Sequence, residues 1–228
     1  MLVKVGIKKY LMDVFKHDVF ILGSGGHANS IFANLVSDGH RVIAFVDEFS
    51  GKKELHGIPI LNSIPNNINS AKFVVAIGDN FIRYTISERM LRLYGSESLM
   101  TFISSKSLVS NYVEIQRGSV IMANAYIGPD VKIAQGSLVN TGAVIEHGTL
   151  VGEWASVAPC VSLAGEVEIG DFSHIGLASV VDSKVKIGHD SILGSHSYLR
   201  KDLDSNLIAY GNPAEIARHR QRGEKYLK

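Results

Sequence analysis

The sequence predicts two units in series: a small α/β domain with a Rossmann-like parallel sheet, then an all-β parallel β-helix. Three observations carry this. Every sixth residue from Val109 is aliphatic: Ile115, Ile121, Ile127, Ile133, Val139, Ile145, Val151, Val157, Leu163, Ile169, Ile175, Val181, Ile187, Leu193 and Leu199 follow, sixteen in all without an insertion. Two residues before each stands a Ser, Ala, Thr or Val, from Ser107 to Ser197. Ahead of the repeat, strand-like apolar runs alternate with helix-like segments, and the first run ends in a glycine-rich turn. One large and one small inward side chain per six residues marks stacked parallel coils, which neither a 3.6-residue helix period nor plain strand alternation produces. Strands alternating with helices argue for a parallel sheet. Gly follows the aliphatic at 128, 152, 170, 176, 188 and 194, where backbone angles that resist a Cβ are expected.

The chain has 228 residues and a net charge of +1. That is enough for two modest domains and gives no charge argument for nucleic acid or a membrane surface. Cys160 is the only cysteine, so no internal disulfide forms and a reducing, cytoplasmic setting fits. Its expected role is packing. No apolar run approaches the ~20 residues of a membrane span. Residues 1–17 are expected as an extension in which Val3, Ile7, Tyr10, Leu11 and Val14 line one face of a short capping helix.

The α/β domain is expected over residues 18–104. Asp18–Leu22, Arg41–Val46 and Lys72–Ile77 read as strands, Asn29–Ser37 and Phe81–Tyr94 as helices, and Leu99–Ile103 as a fourth strand. Gly23, Gly25 and Ala28 have the spacing of a dinucleotide fingerprint, and Asp47 lies where a ribose-binding carboxylate belongs. Such glycines let a diphosphate approach a helix N-terminus. A tight strand-to-helix turn without a ligand gives the same letters. Three or four strands make half a dinucleotide fold, which favours a mononucleotide-type ligand such as a nucleotide sugar.

The β-helix is expected over 105–202, with a closing segment over 203–228. Its histidines are His147, His174, His189 and His196. His147 falls outside the inward aliphatic column, and with eighteen residues per coil Gly165 stacks one coil along from it. A neutral imidazole can serve as base for an amine or hydroxyl, and a glycine N–H beside it can donate to an oxyanion. A solvated surface histidine is the commoner role. The spacings do not bring three histidines together, so no metal site is expected.

Gly23-Ser-Gly-Gly-His-Ala28, Phe45-Val-Asp-Glu48 and Ala76-Ile-Gly-Asp-Asn80, followed by the unbroken repeat, resemble the sugar acyltransferases of the PglD/NeuD/PerB type. Val139-Asn-Thr-Gly-Ala-Val-Ile-Glu-His147, Cys160-Val-Ser-Leu-Ala-Gly165 and Tyr210-Gly-Asn-Pro-Ala214 match that family's active-site and closing segments. The resemblance implies a left-handed β-helix, a homotrimer with acetyl-coenzyme A between neighbouring coils, and a nucleotide-activated amino sugar on the N-terminal domain. It implies a catalytic group of His147, Glu146 and Gly165, with His147 as general base and the Gly165 N–H facing the thioester carbonyl. Gly23, Gly25, Gly26, His27, Asp47, Glu48, Gly78 and Asn80 would hold the sugar nucleotide. Asn140, Ser156, Gly165, Gly211, Asn212, Pro213 and Ala214 would line the donor cleft. Arg218, Arg220 and Arg222 would meet coenzyme phosphates, although such a run is more commonly a solvated basic tail. Bacillosamine-type members of the family often have a carboxylate after the histidine, and also have a second histidine nine residues later; here these are Gly148 and Ser156. The expected reaction is N-acetylation of a nucleotide-linked 4-amino-4,6-dideoxy sugar. The alternatives are O-acetylation of a sugar such as sialic acid and a non-catalytic nucleotide-binding scaffold.

Overall fold

The computed structural model describes residues 3–5, 17–65, 68 and 71–226. The first elements are β1 (Val3–Val5), β2 (Asp18–Leu22), α1 (Gly26–Ser37), β3 (Arg41–Val46), β4 (Glu54–Leu55), β5 (Ile58–Leu61), β6 (Lys72–Val75) and α2 (Asn80–Tyr94). β2 to β6 form one sheet in the order β4-β5-β3-β2-β6, parallel except for the β4–β5 hairpin. Alternate residues divide between its two faces, as strand geometry requires. Val19, Ile21, Phe45 and Val74 pack with Ile31 and Leu35 of α1. Phe20, Leu22, Phe73 and Val75 pack with Met90 of α2 on the other side.

Three expectations change. The β4–β5 hairpin was not foreseen; it turns at His56 and Gly57, both at positive φ (53° and 76°), the backbone that two-residue hairpin turns need. The strand expected at Leu99–Ile103 divides. Leu99 makes only a bridge to Phe73, while Phe102–Ile103 pairs with Val120–Ile121 and opens the first coil. Phe102 packs with the α/β core and Ile103 with the solenoid core, so the segment serves both. Val3–Val5 is an antiparallel strand against Val113–Ile115 rather than helix; Ile7, Tyr10, Leu11 and Val14 lie outside the described residues.

The remainder is a left-handed parallel β-helix. All sixteen aliphatics of the six-residue column point inward and belong to one core. Eighteen residues make one coil, as in the register Val120, Leu138, Ser156, His174, Ile192. Face 1 carries that row, face 2 carries Leu108, Tyr126, Val144, Ser162, Val180 and Tyr198, and face 3 carries Glu114, Lys132, Leu150, Glu168 and Lys186. Positive φ is found not at the glycines after the aliphatics but three residues before each aliphatic. It runs from Tyr112 through Gly118, Asn124, Asp130 and onward to His196, and includes Trp154, Glu166 and Phe172. The glycines at 128, 152, 170, 176, 188 and 194 are required for another reason. A Cβ there would come within 2.4–2.8 Å of the next coil.

Face 1 is covered by the chain's own α/β domain. Phe102, Val120, Met122 and Leu138 share a core with α1, and Tyr84 of α2 meets the rings of Trp154 and Phe172 edge-on. Face 3 is charged. Face 2 is apolar and uncovered, with Leu108 60% and Val180 44% exposed.

Candidate active site

His147 ends a short run that leaves face 2 at Val144–Ile145 and turns toward face 3 at Leu150–Val151. Its carbonyl accepts from the Glu166 N–H at 2.8 Å, which ties it to the coil that carries Gly165. The imidazole lies on Gly165: a Cβ built there would sit 2.5 Å from both Cε1 and Nε2. Among the described residues the Gly165 N–H has no hydrogen-bond partner, while its carbonyl accepts from the Lys184 N–H. The expected pair is therefore brought together, with a donor left over beside the ring. Glu146 is half-buried beside it, and among the described residues its carboxylate makes no hydrogen bond to the imidazole. Gly148 leaves room filled by Glu166, whose Cγ would be 3.3 Å from a Cβ at 148.

The residues expected to line a donor cleft fall into two groups. Asn140 follows face 1 and begins the edge shared with face 2; its side-chain oxygen accepts from the Thr141 N–H at 2.9 Å. Gly211 to Ala214 turn between strands Leu207–Gly211 and Ala214–His219, with a cis Asn212–Pro213 peptide, and the Gly211 N–H donates to Ser197. Leu207–Gly211 extends face 1, so this turn lies along the same edge as Asn140, four coils away. At ~4.8 Å per coil that is roughly 19 Å.

Ser156 is a correction. It is buried on face 1, donates to Asn80 Oδ1 at 2.5 Å and accepts from Arg83 at 3.1 Å, so it holds the two domains together and does not line the donor cleft. Asn80 is a second correction. Only 1% exposed, it donates to the carbonyls of Phe172 and Ser173 at 3.0 Å each and offers nothing to a sugar. Both meet at Arg83, which no sequence signal singled out. This buried guanidinium donates to the carbonyls of Ile77, Gly78, Gly136 and Trp154 as well as to both side chains. Burial lowers its pKa to about 10.

The tail arginines are also corrected. Arg218 pairs with Glu224, and Arg220 is buried with its guanidinium on the Asp190 and Glu224 carbonyls. Arg222 stacks over Phe172 at 4.4 Å. Arg220 and Arg222 hold the tail back against the solenoid.

The glycine loop keeps its expected shape. Gly23 has φ +108° and would drive a Cβ to 2.9 Å from Ile77. Gly25 and Gly26 are exposed, and nothing lies within 4 Å of a Cβ built on either. The turn itself does not need glycine there, so the pair leaves open space above the α1 N-terminus, whose cap has no side-chain partner. Unpartnered N–H groups at a helix start suit an anion. Asp47 Oδ2 accepts from both the Ser24 N–H (3.0 Å) and hydroxyl (2.7 Å) and so braces the loop. Burial, with Arg83 nearby, holds the His27 imidazole neutral to about pH 4. Beside the loop opens a cleft of about 510 Å³ lined by Gly23, Asp47, Glu48, Phe49, Arg89 and Lys225 among others. Gly78 is near but engaged, its carbonyl accepting from Arg83 and lying 3.4 Å from the Tyr226 hydroxyl. Among the described residues no cluster could hold a metal and no helix is long and apolar enough to cross a membrane.

A glycine-loop α/β domain docked on one face of a left-handed β-helix, with a histidine seated on a bare glycine, defines the architecture of the hexapeptide-repeat acetyltransferases. Residues 18–90 match the PglD N-terminal domain family. The acetyltransferase domain of PglB from Neisseria gonorrhoeae FA1090 superposes with a TM-score of 0.83 at 25% identity, covering 89% of this chain and 100% of that one. PerB from Caulobacter crescentus, solved in complex with CoA and GDP-perosamine, gives 0.77 at 28% identity over 88% and 97%. The GDP-perosamine N-acetyltransferase of Escherichia coli O157:H7 is 27% identical over 180 residues, 75% of this chain and 80% of that one. The acyl-[acyl-carrier-protein]–UDP-N-acetylglucosamine O-acyltransferase of Burkholderia orbicola (strain MC0-3) is 30% identical over 135 residues, and the chain spans only 45% of its length. The chain is thus similar, over most of its length, to sugar acetyltransferases of the PglD/PerB type.

Proposed function

We propose that this chain transfers an acetyl group from acetyl-coenzyme A to the amine of a nucleotide-linked 4-amino-4,6-dideoxy sugar, with His147 as general base. The observation that carries the reading is the His147 imidazole lying on Gly165 with an unpartnered N–H beside it. The amine nitrogen attacks the thioester carbonyl carbon, a C–N bond forms and the C–S bond breaks. The amine proton passes to His147 and on to the departing thiolate, while the Gly165 N–H donates to the carbonyl oxygen as it gains charge. Structures of the PglB domain with acetyl coenzyme A and of PerB with CoA and GDP-perosamine support the substrate classes. The open space over Gly25 and Gly26 supports a diphosphate at the α1 N-terminus, with the nucleoside in the cleft beside Asp47 and Glu48.

The site is completed by a second copy of the chain. His147 lies on the edge between faces 2 and 3, whereas Asn140 and the Gly211–Ala214 turn lie on the edge between faces 1 and 2. No single coil stack puts the base beside the donor edge. Face 2, apolar and uncovered, lies between them, and a ring of three copies packed through it sets one copy's His147 edge against its neighbour's Asn140 edge. The test is a thiol-release assay with acetyl-coenzyme A and a panel of uridine-, thymidine- and guanosine-linked 4-amino sugars. Turnover with one of them is expected, and His147→Ala should lower kcat by ~10²–10⁴-fold. Turnover with none, or a variant that keeps more than about a tenth of the rate, would refute the reading.

A further inference from the structure

We propose that the C-terminal tail is a strap that completes the nucleotide cleft, with Lys225 as its phosphate contact. This rests on the nucleotide reading given above. The glycine loop, Gly23 to Ala28, contains no lysine or arginine, and the α1 N-terminus is the only positive feature it offers. The cleft beside it contains two carboxylates, Asp47 and Glu48, and its cationic lining residues are Arg89 from α2 and Lys225 from the tail. A nucleoside diphosphate entering this cleft therefore meets repulsion on one wall, and half of the compensating side-chain charge comes from residues after the solenoid has ended.

The tail is held firmly enough to present that charge. The Tyr226 hydroxyl accepts from the Asn80 N–H at 3.3 Å and faces the Gly78 carbonyl at 3.4 Å, so it grips the loop that leads from β6 into α2. Its ring packs on His174 at 4.8 Å, and the Arg220 guanidinium lies over it at 5.0 Å. Arg220 donates to the Glu224 carbonyl at 2.7 Å, which closes the tail on itself just before Lys225. Gly223 lies against Phe81 of α2. Lys225 is exposed between these anchors and is the one residue of the segment that lines the cleft. A tail whose only task was to pin the two domains together has no need of a cation at that point.

The experiment measures binding of GDP, UDP and dTDP to the full-length protein by calorimetry at two salt concentrations. Lys225→Ala is compared with Lys225→Arg, and acetyl-coenzyme A affinity and melting temperature are measured alongside. Expected is a nucleotide that binds wild type, binds Lys225→Ala about five- to tenfold more weakly at low salt with a shallower salt dependence, and binds Lys225→Arg nearly as well as wild type. Melting temperature and acetyl-coenzyme A affinity should not move. A nucleotide that binds wild type and Lys225→Ala equally overturns the strap's role and leaves the nucleotide reading intact. Equal weakening by Ala and Arg, or a fall in melting temperature that accounts for the loss, reduces the tail to a structural clamp. If wild type binds none of the three, the nucleotide reading fails first and this inference with it.

Discussion

Replacing Gly165 by alanine separates catalytic geometry from folding. The new methyl carbon would sit 2.5 Å from Cε1 and Nε2 of His147 and 3.1 Å from Cδ2, where ordinary carbon contacts are ~3.5–4.0 Å. The ring must retreat by about 1 Å. It has somewhere to go, because His147 is exposed, and no positive φ at 165 opposes a Cβ. Stability should stay within ~0.5 kcal/mol of wild type. A catalytic group misplaced by about 1 Å loses on the order of 10²-fold in rate, so kcat should fall by that factor while the melting temperature and acetyl-coenzyme A affinity hold. Steady-state thiol release with a calorimetric melt on the same preparation measures both. A kcat within about threefold of wild type would show that the imidazole does not act from its place over Gly165. The same substitution at Gly176 gives the opposite outcome. There the Cβ meets the Ser195 nitrogen at 2.5 Å and the Gly194 carbonyl carbon at 2.6 Å, backbone that cannot swing aside, and the melting temperature should drop instead.

Three other perturbations address the remaining features. Arg83→Met strips hydrogen bonds from several buried carbonyls and should destabilise by about 3–5 kcal/mol, seen as a melting temperature lower by roughly 10 °C or more; an unchanged melt would mean that the interface does not depend on this guanidinium. His27 and His174 are each held neutral to about pH 4, in both cases chiefly by burial and then by Arg83. The unfolded chain takes up those protons near pH 6.5, so the stability is complete above that value and is lost as pH falls from 6.5 toward 4. Each contributes on the order of 2 kcal/mol between pH 7 and pH 5; denaturant melts at the two pH values should show the loss, and His174→Phe should remove about half of it. Val180→Glu puts a charge on face 2 and should give monomers by light scattering, with loss of turnover, where the proposed trimer is expected for wild type; a trimer mass for this variant would refute face 2 as the contact.

The inward column was legible because burial leaves the chain no freedom: a polar residue at Ile145 or Val157 would face a closed aliphatic core. The left-handed column was not, because only about half of it, Gly118, Asn124, Asp130, Gly136, Gly142, Gly148 and Asp190, is of the types that favour that backbone. Tyr112, Trp154, Glu166 and Phe172 adopt a backbone that favours glycine, held there by coil stacking, as when the N–H of Trp154 donates to Gln135 and that of Phe172 to Glu153. His147 over Gly165 was legible from the eighteen-residue period alone. Asn80 and Ser156 were not, since each looks like a free polar group until α2 docks on face 1 and Arg83 joins them. The tail arginines misled for a similar reason. Spaced two apart, they read as one solvated basic run, but the tail's path buries Arg220 and leaves Arg218 and Arg222 on different partners.

The stacking of whole coils makes the proposed donor edge a quantised length. Along face 1 the row runs Leu138, Ser156, His174 and Ile192 at eighteen residues each and closes on Ile208 after sixteen, so the span from Asn140 to the closing turn at Gly211 is lengthened or shortened by whole coils of ~4.8 Å. Inserting six or twelve residues would rotate everything downstream onto another face and carry the closing turn away from the groove. A related chain with a longer or shorter groove along this edge must therefore differ by complete coils between these two points.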